Sequence, residues 1–177
     1  MRVISGKYKG NIIKGFDING TRPTMDRVKE SIFGTIQKNL KNSTVLDLFA
    51  GSGNLGIEAI SNGSICTYFV DNNVVAINTI KENIINIKIS EETHIMKADY
   101  LEAIKYFKNN NITFDIIFLD PPYKDKILNN LLDNLYELVN INGLVIIEYE
   151  NDLINNEKFN LEKTKKYSSK LVTFLRK

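Results

Sequence analysis

From Thr44 to Tyr149, short apolar runs alternate with longer stretches in which apolar residues return every three or four positions. The runs predict strands over 44–50, 65–71, 94–98, 114–120 and 144–149. Between them, helical spacing predicts helices over 54–62, 73–88, 100–109 and 125–139. A strand–helix alternation of this length implies βαβ units in a parallel sheet with helices on both faces. The tail breaks the pattern. Phe159–Lys166 and Leu171–Leu175 flank Tyr167, Ser168 and Ser169, which predicts an antiparallel hairpin at the end of the sheet.

Ahead of the alternation, RVIS at 2–5 and NIIKGF at 11–16 read as a small hairpin or irregular β arm. Thr24 can cap a helix whose apolar stripe is Val28, Ile32, Phe33, Ile36 and Leu40, which leaves Arg22, Arg27 and Lys29 as candidates for a polar surface near the site. The expected fold class is therefore α/β: a mostly parallel seven-stranded sheet with a C-terminal antiparallel hairpin, plus a small N-terminal β arm and helix. One domain is expected over 1–177, with the arm and helix in 1–43 and the core in 44–177.

A chain of 177 residues, 43% of them hydrophobic, can bury a real core without staples. Cys66 is the single cysteine, so no internal disulfide can form. It lies mid-strand and reads as a small buried hydrophobe without chemistry. His94, the only histidine, falls at a strand edge, and no His/Cys/Asp cluster has metal spacing. The first ten residues lack the apolar centre of a signal peptide, and no apolar run approaches the ~20 residues of a membrane-spanning helix. A cytoplasmic protein away from the membrane is expected.

Charge changes the picture more than composition does. The net charge is only +2, yet residues 1–43 carry nine Lys/Arg against three Asp/Glu, and residues 161–177 carry six against one. The stretch 44–160 is left with eight basic and seventeen acidic side chains. Basic ends on an acidic body suggest that the termini bind an anionic polymer. Tyr8, between Lys7 and Lys9, can stack on a base or pack on the body.

Candidate chemistry begins at TVLDLFAGSGNLG, residues 44–56. A buried strand breaks into Gly51, Ser52 and Gly53, and Gly56 lies inside the next helix. That is the G-x-G-x-x-G spacing that cradles a nucleotide-containing cofactor, and it fits nicotinamide, flavin and S-adenosylmethionine sites alike. Asp71, twenty residues after Gly51 at the end of the second predicted strand, is placed to accept hydrogen bonds from ribose hydroxyls. The fourth predicted strand ends in Asp120-Pro121-Pro122-Tyr123, a tetrapeptide that a dehydrogenase does not need.

Methyl transfer to an exocyclic base amine explains it. The amine lone pair is delocalised into the ring, so the site must turn it outward. The Asp120 carboxylate and the Pro121 carbonyl can accept the two amine hydrogens and stabilise the charge that develops on nitrogen. Pro122 stiffens the turn, and Tyr123 offers a face on which an unstacked base can rest.

With RVISGKYKG at the start, TRPTMDRVKESIF at 21–33, LDLFAGSGNLGIEA at 46–59 and FLDPPY at 118–123, the sequence resembles the bacterial RsmD family, which methylates the N2 amine of a guanine in 16S ribosomal RNA. The resemblance implies a Rossmann-like class I methyltransferase. It implies that Asp47 and Gly51 hold the methionine part of S-adenosylmethionine, Asp71 its ribose and Asp99 its adenine amine. Phe49, Ala50, Ser52, Gly53, Asn72 and Tyr100 complete the cofactor site by the same carry-over. Arg22, Thr24 and Arg27 border the base pocket, and Lys7 and Lys9 join them in binding RNA. Asn11 and Asn62 stand where arginine is expected, and Asp71 where glutamate is commoner. The implied partner is 16S ribosomal RNA or the assembling small subunit, acted on by a monomer. Adenine-N6 methylation of DNA or RNA remains an alternative, because the tetrapeptide does not decide the base. A nicotinamide-dependent oxidoreductase and a non-catalytic RNA-binding protein remain as alternatives of other classes.

Overall fold

The computed structural model describes residues 1–15, 24–121, 128–150 and 156–177, with the backbone alone at Thr24 and Met25. Helix α1 spans Thr24–Leu40, and strand β1 Thr44–Asp47 leads through the glycine loop to α2, Asn54–Ser61. Then follow β2 Cys66–Asp71, α3 Val74–Ile87, β3 Thr93–Lys97, α4 Tyr100–Asn109 and β4 Phe114–Leu119. The chain closes with α5 Leu128–Leu135, β5 Val139–Tyr149, β6 Asn160–Tyr167 and β7 Lys170–Arg176. The strands form one seven-stranded sheet in the order β3-β2-β1-β4-β5-β7-β6. All pairs up to β5 are parallel, while β7 runs antiparallel to both β5 and β6. The expected fold class holds.

Because strand side chains alternate, each face of the sheet has its own core. One face carries Val45, Ile116, Phe118, Leu144, Ile146, Val172 and Phe174 under α1, and Phe69 under α2 and α3. The other carries Leu46, Val70, Ile117, Leu119, Val145 and Ile147 under α4 and α5. Strand order reverses between β1 and β4. In an open α/β sheet such a switch point leaves a crevice beyond the carboxyl ends of the two strands.

Several predicted boundaries move. The expected helix 125–139 ends at Leu135 in its described part, followed by a 3-10 turn at Tyr136–Leu138. Leu138 and Val139 are still buried, so the apolar pattern runs past the end of the helix. Strand β5 starts at Val139 rather than 144, because Val139 already pairs with Phe114 before a bulge that includes Asn142 at φ 64°. The first strand stops at Asp47, three residues early, where the chain turns into the glycine loop.

In its described residues the N-terminal arm is not a regular hairpin; they form a single antiparallel bridge, Arg2 with Ile12. Nor does it stand off the body. Val3 and Ile13 are fully buried against Ile57, Ile60 and Ile80, and Tyr8 packs on the same cluster. Of the two readings of Tyr8, packing on the body is the one observed. Cys66 is a free thiol, half-buried at the start of β2 rather than fully buried in mid-strand as expected, and its pKa is pushed up by that burial. His94 stacks on Tyr68, ring centroids 4.5 Å apart. Among the described residues no His/Cys/Asp/Glu group could hold a metal ion, and no helix is long and apolar enough to cross a membrane.

Candidate active site

The glycine loop sits at the switch point. Gly51 and Gly53 hold φ of 54° and 79°, left-handed values that glycine adopts at little cost, and Gly53 opens α2. Gly56 lies so close to β2 that an added Cβ would meet the Phe69 ring at 2.3 Å. Its missing side chain lets α2 press onto the sheet and aim its first N–H groups at the loop.

Three predicted carboxylates gather around this loop. Asp71 accepts from Gly51 N–H at 2.9 Å and from Asn73 N–H at 2.8 Å, so its carboxylate is oriented before any ligand arrives. Asp47 is buried at 3% exposure and accepts from Gly56 N–H at 2.9 Å. Burial pushes the Asp47 pKa up to about 7; the Gly56 hydrogen bond opposes this, while Asp120 and Asp71 add to it. Among the described residues no cation lies against Asp47. Asp120 directly follows β4, and its pKa is also raised, by desolvation first and by the Glu148 carboxylate second, with Lys170 opposing. Asp120 is exposed at the mouth of the crevice. Carboxylates clustered in this way favour a positively charged small molecule.

Other predicted site residues converge on the same edge. Phe49 and Tyr100 pack ring to ring at 5.6 Å, joining the end of β1 to the start of α4. Asp99 caps α4, accepting from Leu101 N–H in a capping box with Glu102. Asn72 is exposed beside Asp71, and Ala50 N–H donates to the Val70 carbonyl, tying the loop to β2. Ser52 lends its carbonyl to the Asn83 amide at 3.0 Å. Pro121 continues from Asp120, whereas Arg22, Pro122 and Tyr123 lie outside the described residues. Helix α1 opens at Thr24, whose side chain is outside the description too. Arg27 is exposed in the second turn of α1, the end nearest the crevice. Lys7 and Lys9 are placed differently. Their turn is held by Ser61 at the C-terminal end of α2, roughly 12 Å of helix away from the glycine loop.

Lys29, expected on a polar surface, is instead interior, part of a buried polar network that the sequence pattern does not disclose. Lys29 and Glu58, 1% and 0% exposed, pair at 3.0 Å. Lys29 also donates to the Arg2 carbonyl at 2.6 Å and to Asn54 Oδ1 at 2.8 Å. Glu58 accepts from Ile4 N–H at 3.0 Å and from Ser5 N–H at 2.8 Å. Arm, α1 and the first residue of α2 thus meet in one fully bonded knot. Asn83, buried on α3, accepts from Lys14 N–H and donates to the Lys14 and Ser52 carbonyls, binding the arm to the loop. The available signal was an acid inside the apolar helix segment GIEAIS and an amide inside the isoleucine stripe of α3. The two asparagines at expected arginine positions are spent within the arm region: Asn62 on Ser5 and Glu58, Asn11 on the Tyr8 carbonyl.

Comparison with known proteins matches this architecture. A family model described as conserved hypothetical protein 95 matches residues 1–176. A Bacillus subtilis protein named as a putative rRNA methyltransferase is 39% identical over 155 residues, 86% of this chain and 84% of its own length. The ribosomal RNA small subunit methyltransferase D of Haemophilus influenzae is 34% identical over 170 residues, 93% of this chain and 88% of its own length. A solved Escherichia coli structure described as a putative methyltransferase superposes with a TM-score of 0.87 at 22% identity, covering 100% of this chain and 97% of that one, a likeness of fold. With a family model spanning nearly every residue and relatives of this identity over most of their length, the chain belongs to the RsmD family, conserved hypothetical protein 95.

Proposed function

We propose that this protein transfers the methyl group of S-adenosylmethionine to the N2 amine of a guanine in 16S ribosomal RNA. The observation that carries the reading is the set of carboxylates at the switch point: Asp47, buried with no cation against it among the described residues, Asp71, oriented by two N–H groups, and Asp120, directly after β4. When bound, the cofactor supplies an electrophilic methyl on a sulfonium. Asp47 suits its positively charged methionine end, Asp71 its ribose hydroxyls, and Asp99 with Phe49 and Tyr100 its adenine.

Asp120 and the Pro121 carbonyl would accept hydrogen bonds from the two N–H groups of the target amine, turn its lone pair toward the methyl group and stabilise the positive charge that grows on nitrogen as the carbon–sulfur bond breaks to leave a neutral thioether, after which the nitrogen gives up one proton. Arg27, exposed near the start of α1, suits the RNA around the extruded base, and the resemblance adds Arg22 and Thr24 to it. Lys7 and Lys9 suit backbone phosphates farther away. Relatives named as small-subunit RNA methyltransferases support the substrate class.

The test is radiolabelled methyl transfer from S-adenosylmethionine to small-subunit RNA and to assembled particles, followed by nucleoside analysis. The expected product is N2-methylguanosine. N6-methyladenosine, or no transfer with tight nicotinamide binding instead, would replace this reading by one of its alternatives.

A further inference from the structure

Beyond the tetrapeptide, the carboxyl edge of the sheet carries two charged side chains that the methyl-transfer chemistry leaves without a task. Strands β4 and β5 pair in parallel through Phe118 with Ile146 and Leu119 with Ile147. The next positions along are Asp120 and Glu148. Ile116 and Phe118 on β4, and Leu144 and Ile146 on β5, all face α1, so alternation sends Asp120 and Glu148 to that face side by side. On β7, Val172 pairs with Glu148 and faces α1 as well. Lys170, two residues before Val172, therefore projects to the same face and forms an ion pair with Glu148. Across three adjacent strands the order is carboxylate, carboxylate, ammonium. Glu148 is 13% exposed and Lys170 35%, so the row is partly open to the crevice. The hairpin that carries Lys170 is fastened to α1, because Tyr167 and Lys165 both bond to Ser31.

A row of this kind matches the Watson–Crick edge of guanine and of no other common base. Guanine presents, in order, the N2 amine as donor, N1–H as donor and O6 as acceptor. Adenine presents its N6 amine as donor and N1 as acceptor, and a carboxylate facing an N1 lone pair has no hydrogen to share. Resting on the reading of the protein as a guanine-N2 methyltransferase, we propose that Glu148 accepts N1–H of the target guanine and Lys170 donates to its O6, while Asp120 takes N2, so that the base is read at β5 and β7. Lys170 has three N–H donors and can keep Glu148 while reaching O6. It stays protonated: burial lowers its pKa, but Asp120, Glu148 and Glu150 together raise it.

The experiment uses the full-length enzyme and small-subunit RNA in which the mapped target guanosine is either kept or replaced by 2-aminopurine. That analogue retains the 2-amine but has a bare N1 and no O6. Wild-type enzyme should methylate the analogue about 10- to 100-fold more slowly, the usual discrimination for a paired base contact. In Glu148→Gln the side-chain amide can donate to the bare N1, so the guanine-to-analogue rate ratio should fall at least tenfold with cofactor affinity unchanged. Lys170→Met should slow the guanine substrate and leave the analogue unchanged, which a purely structural role would not do. Equal wild-type rates on both substrates, or an unaltered ratio in folded, cofactor-binding variants, would overturn the assignment. Wild-type enzyme that forms no N2-methylguanosine on any RNA would instead overturn the underlying reaction.

Discussion

Asp47 is the residue through which pH should act. Its folded pKa, about 7, lies well above the ordinary 3.8, so the folded protein keeps a proton that the unfolded chain gives up. The stability this contributes is complete below about pH 4 and is lost as pH rises through 7. A cationic ligand favours the ionised form. Cofactor affinity should therefore rise with pH by up to about tenfold per unit below 7 and level off above it, with a proton released on binding near neutrality. Calorimetry in buffers of different ionisation enthalpy measures this directly, and Asp47→Asn should flatten the profile. Asp120 acts at another stage, since its partner amine gains charge only on the way to the transition state. Asp120→Ala should cut single-turnover methylation by roughly 100- to 1000-fold while cofactor affinity stays nearly constant. Near-normal turnover in that variant would remove the role. Asp47, Asp71 and Asp120 were all legible in the sequence, because each ends a strand run beside a motif. Lys29, Glu58 and Asn83 were less so; a charged or amide side chain on a helix usually faces water, and only the packing of arm, α1, α2 and α3 makes these interior.

Among the elements, α2 is the one on which the site depends most. It is buried at seven of its eight residues, lies tight on β2 through Gly56, and carries Asn54 and Glu58 into the buried knot. An ion pair of this depth contributes little net stability when intact, but removing one partner leaves a charge without water or counter-charge. Glu58→Gln should cost about 3 to 5 kcal/mol, a drop in melting temperature on the order of 10 °C. Pairing it with Lys29→Met should restore most of the loss, and thermal unfolding of the single and double variants decides the point. Strand and helix order could be read from periodicity alone, but boundaries could not wherever burial outlasts an element. The passage from α5 through Leu138 into β5 is such a case. Helical apolar spacing continues across it while the backbone has already changed to a 3-10 turn and a bulged strand.

For the whole molecule, the decisive comparison is between the charge count and the packing. Counting charges alone, the basic N-terminal arm would be a free RNA tether that could be removed with cofactor binding preserved. The packed arm supplies Val3 and Ile13 to the core, and its backbone satisfies Glu58 and Lys29. Deleting residues 1–14 should therefore lower the melting temperature and cofactor binding together. Lys7→Gln with Lys9→Gln should spare both, and should reduce the log–log salt dependence of RNA binding by about 0.7 for each single-stranded phosphate that is no longer neutralised. An unchanged slope would place the RNA elsewhere, with the exposed Lys163 and Lys166 of β6 the next to be substituted. The sequence by itself determined the strand–helix order, the glycine loop and the acidic residues at strand ends, because these depend on local periodicity and on short-range turn chemistry. The tertiary structure decided which distant side chains share an edge. The arm lies on α2, Lys29 lies against Glu58, and Asp120, Glu148 and Lys170 stand in one row, because strand register and sheet order bring together residues that are far apart in the chain.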